Sequence, residues 1–437
     1  MNLPSGSESN GVQVVLEHGT LRRIAELFRA RWGDLSAVLV ADPTTFSVAG
    51  TAVADTFLSA RQPLREPFIF ADTALHAESG HVEELVAALA RHNAIPVAVG
   101  AGTLNDLTKL AAHQVGRPYA VVPTASSMDG YAAFGASITH KGSKQTFDCP
   151  APELIVADLD LLCAAPAELN AAGYGDLLAK LPAGADWLLA DALGIEALHP
   201  EAWQVAQGAL SVALAGPEGV RRGESGPICR LTEGLLASGQ AMQRTLTSRP
   251  ASGAEHQFSH LWDMQGHTHQ GKTPLHGFKV GIGTLAVARL YEALVEQPLE
   301  ALDLDAACAR QPSPEAVEAE LAVLFPEPHL LAKAREETAA KQPTRSELHA
   351  HLDHARTVWP SLRQRLRTQL PPSEELARRL TAVGAPVHPE EIGISTARLR
   401  SSFRQAYYIR RRYTVLDFAV RTGLLEPCLD QLFGPER

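Results

Sequence analysis

Residues 97–109 read VAVGAGTLNDLTK, a short apolar run that ends in glycines at positions 100 and 102 and passes directly into a helix-forming segment. An all-apolar run of this length suits a strand buried on both faces, and a helix starting at its end is the crossover of a parallel sheet. The same alternation extends outward from it. VQVVLEHG (12–19), AVLVAD (37–42), EPFIFAD (66–72) and PYAVVPT (118–124) read as strands, with TLRRIAELFRARWG (20–33) and HVEELVAALARHN (81–93) as amphipathic helices between them. GASITHKGSKQTF (135–147), followed by ELIVADLDLL (153–162), reads as a hairpin with Lys-Gly-Ser at its turn. From about Pro166 strand signals vanish. DLLAKLPAGADWLLADALG (176–194), GLLASGQAMQRTL (234–246), AVARLYEALVE (286–296) and QAYYIRRRYTVLDFAVRTG (405–423) carry apolar residues at helical spacing. The expected fold is therefore an N-terminal α/β domain with a Rossmann-like parallel sheet over residues 1–165. An all-α C-terminal domain is expected over residues 166–437.

Composition narrows the function classes. The 437 residues are 45% hydrophobic and 20% charged, which supports two ordinary globular domains. A net charge of -10 without any stripe of basic and aromatic residues argues against a nucleic-acid partner, although a small anion can still meet a locally positive pocket. Five cysteines without a CxxC pair point to free thiols in a reducing compartment and not to a cysteine-ligated metal. The leader MNLPSGSESNG is polar and lacks the apolar core of a signal peptide, and no apolar run approaches bilayer-spanning length. The expectation is a soluble cytoplasmic protein.

Three loops at successive strand ends carry polar residues, and ligands of open parallel sheets bind at that edge. Gly100 and Gly102 let backbone N–H groups approach a diphosphate at a helix start, but an ordinary tight turn has the same glycines, and the stretch is not a full GxGxxG. Asp42 ends an early strand, where a carboxylate can accept from adenosine ribose hydroxyls; it is equally suited to capping a helix over PTTFSVAG. VPTASSMDGYA places Thr124, Ser126, Ser127 and Asp129 past the next strand, as ligand contacts or as a polar capping loop.

Two imidazoles four residues apart occur in SGAEHQFSH (252–260), and LHGFKVGIG (275–283) adds a third. With Asp176 of AAGYGDLLAK, His256 and His276 make a possible ligand set of two imidazoles and one carboxylate, which leaves coordination positions open for a substrate oxygen. Against this, Asp176 suits a helix N-cap, and 17 histidines offer many accidental pairs. His260 lies one turn beyond His256 on the same face. A rival cluster, His349, His351, Asp353 and His354 in ELHAHLDHARTVW, reads as a solvated helix face, and His267 and His269 in MQGHTHQGKTP read as loop residues.

The ordered set VGAGTLNDLTK, VPTASSMDG, LIVADLDLLCAAPAELNAAGYGDLLAK, RPASGAEHQFSHLWDM, LHGFKVGIGTL and IRRRYTVLDFA resembles the sn-glycerol-1-phosphate dehydrogenase family, most closely its bacterial branch. That family falls within the superfamily of metal-dependent alcohol and glycerol dehydrogenases and dehydroquinate synthase. The match spans roughly residues 15–290 and returns near 405–425. The resemblance implies a dehydroquinate synthase-like architecture and places Gly100, Ala101, Gly102, Thr103 and Leu104 on the diphosphate of NAD or NADP. It puts Thr124 and Ser127 on the nicotinamide nucleotide, and Asp129, Asp176 and His260 on substrate. Asp176, His256 and His276 become ligands of zinc or nickel, and a homodimer or larger oligomer is implied. Asp42 favours NAD.

Three departures from the family pattern stand out. Ala101 replaces the middle glycine of the loop, Ala133 stands where serine is common, and the interval from His256 to His276 is longer than in archaeal members. The chemistry implied is reversible hydride transfer between NAD(H) and C2 of dihydroxyacetone phosphate, giving sn-glycerol 1-phosphate, with His260 as a proton relay. Lys180, Lys279 and Arg410 to Arg412 are the basic residues available for the phosphate. A glycerol dehydrogenase acting on unphosphorylated polyol and a dehydroquinate synthase-like cyclase are the rival readings.

Overall fold

The computed structural model describes residues 8–9, 11–72, 75–140 and 142–435; most of the polar leader and Lys141 of the expected hairpin turn lie outside the described residues. The chain divides into two units, one comprising Met1–Leu177, Glu201–Ser248 and Ala382–Gly384, the other Leu178–Pro200, Arg249–Thr381 and Ala385–Arg437.

The first unit is built on one sheet. Its strands are β1 (Glu8–Ser9), β2 (Val12–Glu17), β3 (Ala37–Ala41), β4 (Phe68–Ile69), β5 (Ile95–Gly100), β6 (Ala120–Pro123) and β9 (Leu154–Asp158), in the order β1-β2-β9-β6-β5-β3-β4. All neighbours pair in parallel except β1 with β2. Successive side chains of a strand face opposite ways, so each face needs its own cover. Leu39, Val97 and Val99 pack with Phe28, Val53 and Phe57 on one face, while Val38 and Val40 pack with Leu85, Leu89 and Leu107 on the other. Both faces are apolar because helices cover both. Ile24–Trp32 and Thr51–Ser59 lie on the first face, Ser79–Leu89 and Gly102–Gln114 on the second.

Two strand expectations change in detail. EPFIFAD contributes only the two-residue β4, at the sheet edge. β7 (Ala136–His140) and β8 (Ser143–Phe147) form the expected antiparallel hairpin as a separate sheet, and ELIVAD joins the main sheet as β9. The remainder, DLDLL, becomes a helix over Leu159–Cys163, capped by the Asp158 carboxylate, which accepts from the Asp160 amide at 2.9 Å.

Strand signals end near residue 165, yet the helices beyond divide between the units. Ala167–Leu178 and Ser225–Thr245 belong with the sheet because both clamp the loop that follows β6. Asn170 accepts from the Ser126 amide at 3.0 Å, and the Ser126 and Thr232 hydroxyls are 2.7 Å apart. Glycine makes these contacts possible. A Cβ on Gly173 would lie 1.7 Å from the Ser126 carbonyl oxygen, and one on Gly239 would lie 2.6 Å from that of Asp129.

The second unit is helical throughout its described residues, apart from one isolated bridge between His269 and Lys272. Its core runs through Phe258, Trp262, Leu290, Trp359, Phe403 and Phe418, with the Trp359 and Phe418 rings stacked at 5.3 Å. The Arg345–Gln369 helix buries Leu348, Leu352, Ala355, Trp359, Leu362 and Leu366, a regular stripe at three- and four-residue spacing. The rest of this helix is the solvated face that its charged sequence suggested. The expected single helix through IRRRYT is interrupted: Thr396–Tyr408 ends before it and Val415–Thr422 starts after, capped by Thr414.

The Gly173 contact yields a direct test. Gly173→Ala must push backbone against backbone, so the expected loss is about 2–4 kcal/mol of stability, read as a lower urea midpoint with an unchanged slope.

Candidate functional site

Register in the first unit aligns three loops. Val40 pairs with Ala98 and Gly100 with Pro123, so Asp42, Gly100 and Thr124 follow adjacent strands at the same carboxyl edge. The Gly102–Gln114 helix begins at that edge, and its first amides have no intrahelical partners. A Cβ on Gly100 would sit 2.2 Å from the Leu104 side chain, which holds the turn tight against the helix. Ala101 sits at φ -90° and ψ -162°, extended backbone that a methyl-bearing residue adopts without strain, so its replacement of glycine leaves the turn intact. Asp42 is a helix cap: its carboxylate accepts from the Thr45 amide at 2.7 Å, and the Thr45 hydroxyl accepts from the Asp42 amide at 3.1 Å.

The loop after β6 is fixed from beneath by Lys109. This buried ammonium donates to the carbonyls of Gly130, Ala133 and Gly135 at 2.8–3.0 Å. Thr124 is buried and Ser127 half-buried on this loop. Asp129 is held at both ends. Its carboxylate accepts from the Ser238 hydroxyl at 2.9 Å, and its amide donates to the Asp176 carboxylate at 3.0 Å. Asp176 lies near the end of the Ala167–Leu178 helix, fully buried, and not at a helix start where an N-cap would be.

In the second unit His256 lies on the Ala254–Met264 helix, and His276 is the first residue of His276–Val295. Their ring centroids are 5.5 Å apart. His256 Nδ1 donates to the Glu255 carboxylate at 2.7 Å, which fixes the tautomer with the ring's lone pair on Nε2. His276 Nδ1 stands 3.4 Å from the Ser259 hydroxyl. The start of this helix is anchored by Asp186, whose buried carboxylate accepts from the Tyr291 hydroxyl at 2.6 Å and from the amides of Ala254 and Val415 at 2.7 and 2.8 Å. Burial and the neighbouring Glu255 push Asp186 up to about 7.

Asp176 of the first unit and His256 and His276 of the second remain the candidate ligand set, the two imidazoles already side by side within their own unit. Two neutral nitrogens and one anionic oxygen suit a borderline divalent ion and leave coordination positions for other ligands. His260 follows with its ring centroid 6.3 Å from that of His256, and the Arg410 guanidinium donates to its Nδ1.

The rival histidines do other work. His351 is half-buried against Tyr413, whose hydroxyl is 2.8 Å from its Nε2, and burial pulls it down to about 4. His349, Asp353 and His354 are exposed, with Asp353 paired to Arg356 at 2.7 Å. His267 is buried: its Nε2 donates to the Ile392 carbonyl at 2.6 Å, and Arg398 donates to its Nδ1 at 2.9 Å, so this longer loop is pinned at one end.

Glu255, Asp186, Ser238 and Lys109 carry the site's support and drew no role from the sequence. Glu255 alone left a signal, as a carboxylate adjoining a candidate ligand. The others reach the site from far along the chain, at separations that periodicity does not encode.

The chain matches the model of the family described as iron-containing alcohol dehydrogenase over residues 15–166. It is 36% identical over 270 residues to the glycerol-1-phosphate dehydrogenase [NAD(P)+] of Halalkalibacterium halodurans, covering 61% of this chain and 68% of that protein. Against the protein of that name from Geobacillus thermodenitrificans the identity is 29% over 421 residues, covering 92% and 91%. The Pyrococcus abyssi protein of that name is 31% identical over 281 residues, covering 64% and 78%. Among solved structures, a probable glycerol dehydrogenase from Sinorhizobium meliloti superposes with a TM-score of 0.60 at 17% identity, covering 96% of each chain. A sulfoacetaldehyde reductase from Bifidobacterium kashiwanohense, solved with NAD+, gives 0.57 at 13% identity, covering 96% and 97%. Both share the fold.

Two measurements test the support of His256. Glu255→Gln keeps the volume but weakens the acceptor at Nδ1, so the affinity for Zn²⁺, read by competition with a chromophoric chelator, should fall about 10- to 100-fold. Asp186 is raised in the folded state above its unfolded value, so the folded protein holds its proton more tightly. The stability this group contributes is complete below about pH 4 and is lost as pH rises through about 7. Replacing Asp186 with asparagine should remove that decline, and urea midpoints measured from pH 4 to 8 should fall less steeply than in the parent.

Proposed function

The chain belongs to the glycerol-1-phosphate dehydrogenase family, and on that premise we propose that it reversibly reduces dihydroxyacetone phosphate to sn-glycerol 1-phosphate with NAD(P)H. The observation that carries this reading is the pair of imidazoles His256 and His276, whose ring centroids are 5.5 Å apart and of which His256 is oriented by the Glu255 carboxylate. A divalent ion held by Asp176, His256 and His276, zinc or nickel as the family resemblance implies, would supply Lewis acidity to a substrate carbonyl oxygen. The nicotinamide cofactor would supply the hydride.

The chain's own residues orient the reactants. Amides from Gly100 to Leu104 face the cofactor diphosphate at the helix start, and Thr124 and Ser127 border the nicotinamide nucleotide. Asp42 uses one carboxylate oxygen on Thr45; the other is the acceptor we assign to the adenosine ribose, which favours NAD over NADP. Asp129 and His260 are the catalytic residues of this reading, both in contact with substrate. Ser238 fixes the orientation of the Asp129 carboxylate that this reading places against substrate. Because Arg410 donates to His260 Nδ1, a neutral His260 carries its proton on Nε2 and offers it to the oxygen at C2.

Membership also supports a homo-oligomer in the cytoplasm, and no helix among the described residues is long and apolar enough to cross a membrane. The reading as a dehydrogenase of unphosphorylated glycerol is weaker, since solved structures bearing that name share only 15% and 17% identity and show the fold alone.

NADH oxidation is followed with dihydroxyacetone phosphate and with dihydroxyacetone, before and after chelation and with Zn²⁺ or Ni²⁺ restored. Activity should favour the phosphate ester, vanish on chelation and return with metal, and chiral analysis should give the sn-1 product. His260→Ala should lower kcat about 100-fold or more. A chain that prefers dihydroxyacetone, or is indifferent to metal, does not perform this reaction.

A further inference from the structure

We propose that Arg410 and Arg412 form the binding site for the substrate's phosphate group, an inference that rests on the function proposed above. The three consecutive arginines lie on the segment between the helices Thr396–Tyr408 and Val415–Thr422. They do not share one environment. Arg411 is exposed and paired with Glu336 and Glu337 at 2.7 and 2.8 Å. Arg410 and Arg412, half-buried, form no ion pair with any carboxylate among the described residues.

Their protein contacts leave most of each guanidinium available. Arg410 donates to His260 Nδ1, and Arg412 donates to the Ser252 carbonyl at 2.9 Å. A guanidinium has five N–H donors in a planar fork suited to phosphate oxygens. The carboxylates nearby are committed elsewhere. Glu337 is held by Lys333 and Arg411, Glu196 lies 3.3 Å from Arg249, and Glu255 accepts from the Gly253 amide and His256. Burial pulls both arginines down from their ordinary range, and Arg412, further disfavoured by Arg249 and Arg410, falls to about 10. Folding thus gathers partly desolvated positive charge, near Glu196, Glu255 and Glu337 but in direct contact with none of them. Such a cluster is costly unless a ligand supplies the counter-charge.

Position selects the ligand. Arg410 touches His260, whose ring centroid is 6.3 Å from that of His256, so one side chain separates the guanidinium from a candidate metal ligand and a phosphate ester of a short carbonyl compound fits that order of groups. The other basic candidates serve differently: Lys279 is buried in an ion pair with Asp263, and Lys180 is completely buried.

The test compares metal-loaded parent enzyme with Arg410→Gln, Arg412→Gln and Arg411→Gln, using dihydroxyacetone phosphate, dihydroxyacetone and NADH. For Arg410→Gln and Arg412→Gln, kcat/KM on the phosphate ester should fall about 10- to 100-fold further than on dihydroxyacetone, as expected for losing a charge-assisted contact. The KM for NADH should stay within about twofold, and Arg411→Gln should match the parent. Calorimetric titration with inorganic phosphate should show binding to the parent that both variants lose. Equal losses on both carbonyl substrates would make the arginines structural, and a raised KM for NADH would assign them to the cofactor diphosphate; either result overturns the inference. Arg410→Lys keeps charge and much of the packing, so if Arg410→Gln does not fold, Arg410→Lys must keep the preference for the phosphate ester. A parent that binds phosphate at these arginines yet does not reduce the ester would defeat the proposed reaction and leave the anion site standing.

Discussion

A single buried carboxylate joins three distant segments of the helical unit. Asp186 takes hydrogen bonds from Ala254 at the start of the His256 helix, from Tyr291 on the next helix and from Val415 beyond the arginine segment. Each donor would otherwise be a buried polar group without a partner, so the carboxylate and its three partners stand or fall together. Arg249 adds to the same knot, donating to the carbonyls of Asp186 and Tyr413 at 2.9 Å each. The consequence is functional. Ala254 and Val415 begin the two segments that carry His256 and, just upstream of Val415, Arg410 and Arg412; fixing their ends fixes the angle at which those side chains leave the backbone. Glu255 then sets the tautomer of His256, so position and protonation of this imidazole are decided by adjoining carboxylates.

Close backbone approach is the second device, and glycine supplies it in both units. Gly283 lets the His276 helix come so near the His256 helix that a Cβ there would lie 2.4 Å from the Glu255 carbonyl oxygen. Gly253 does the same beside Asp186 and Glu255, where a Cβ would sit 2.5 Å from an Asp186 oxygen. In the sheet unit Gly173 and Gly239 admit two helices against the loop carrying Thr124 to Asp129. None of these glycines has a left-handed backbone. Their contribution is volume, since a packed interior cannot absorb even one extra methyl without displacement.

The sequence discloses what is periodic or local. Alternating all-apolar runs and helices announce the parallel sheet, and its register then aligns Asp42, Gly100 and Thr124. β4 shrinks to two residues because Pro67 and the edge position leave little to pair, which the apolar run FIF does not reveal. The Arg345–Gln369 helix looked solvated because charge dominates its composition, although its apolar stripe is regular. Candidate ligands were legible as residue types, and the resemblance to a family selected among them. What supports them was not. Asp186 meets Val415 across 229 residues and Ser238 meets Asp129 across 109, and no spacing rule predicts such partners.

Charge shows why a local reading of the chain matters more than its total. The chain carries a formal charge of -10, which by itself would repel a doubly charged phosphate ester. Around Ser252 to His260 the chain gathers three guanidinium groups. Arg249, Arg410 and Arg412 influence one another there, while the carboxylates are either bound by hydrogen bonds or, for Asp186, raised towards neutrality by burial. At neutral pH an Asp186 that holds a proton part of the time reduces the negative charge beneath this cluster and makes its positive potential larger. The same desolvation that raises Asp186 lowers Arg412, but only Asp186 comes close to neutrality at neutral pH. An entering dianion would offset the desolvation of the arginines, which stay charged at neutral pH.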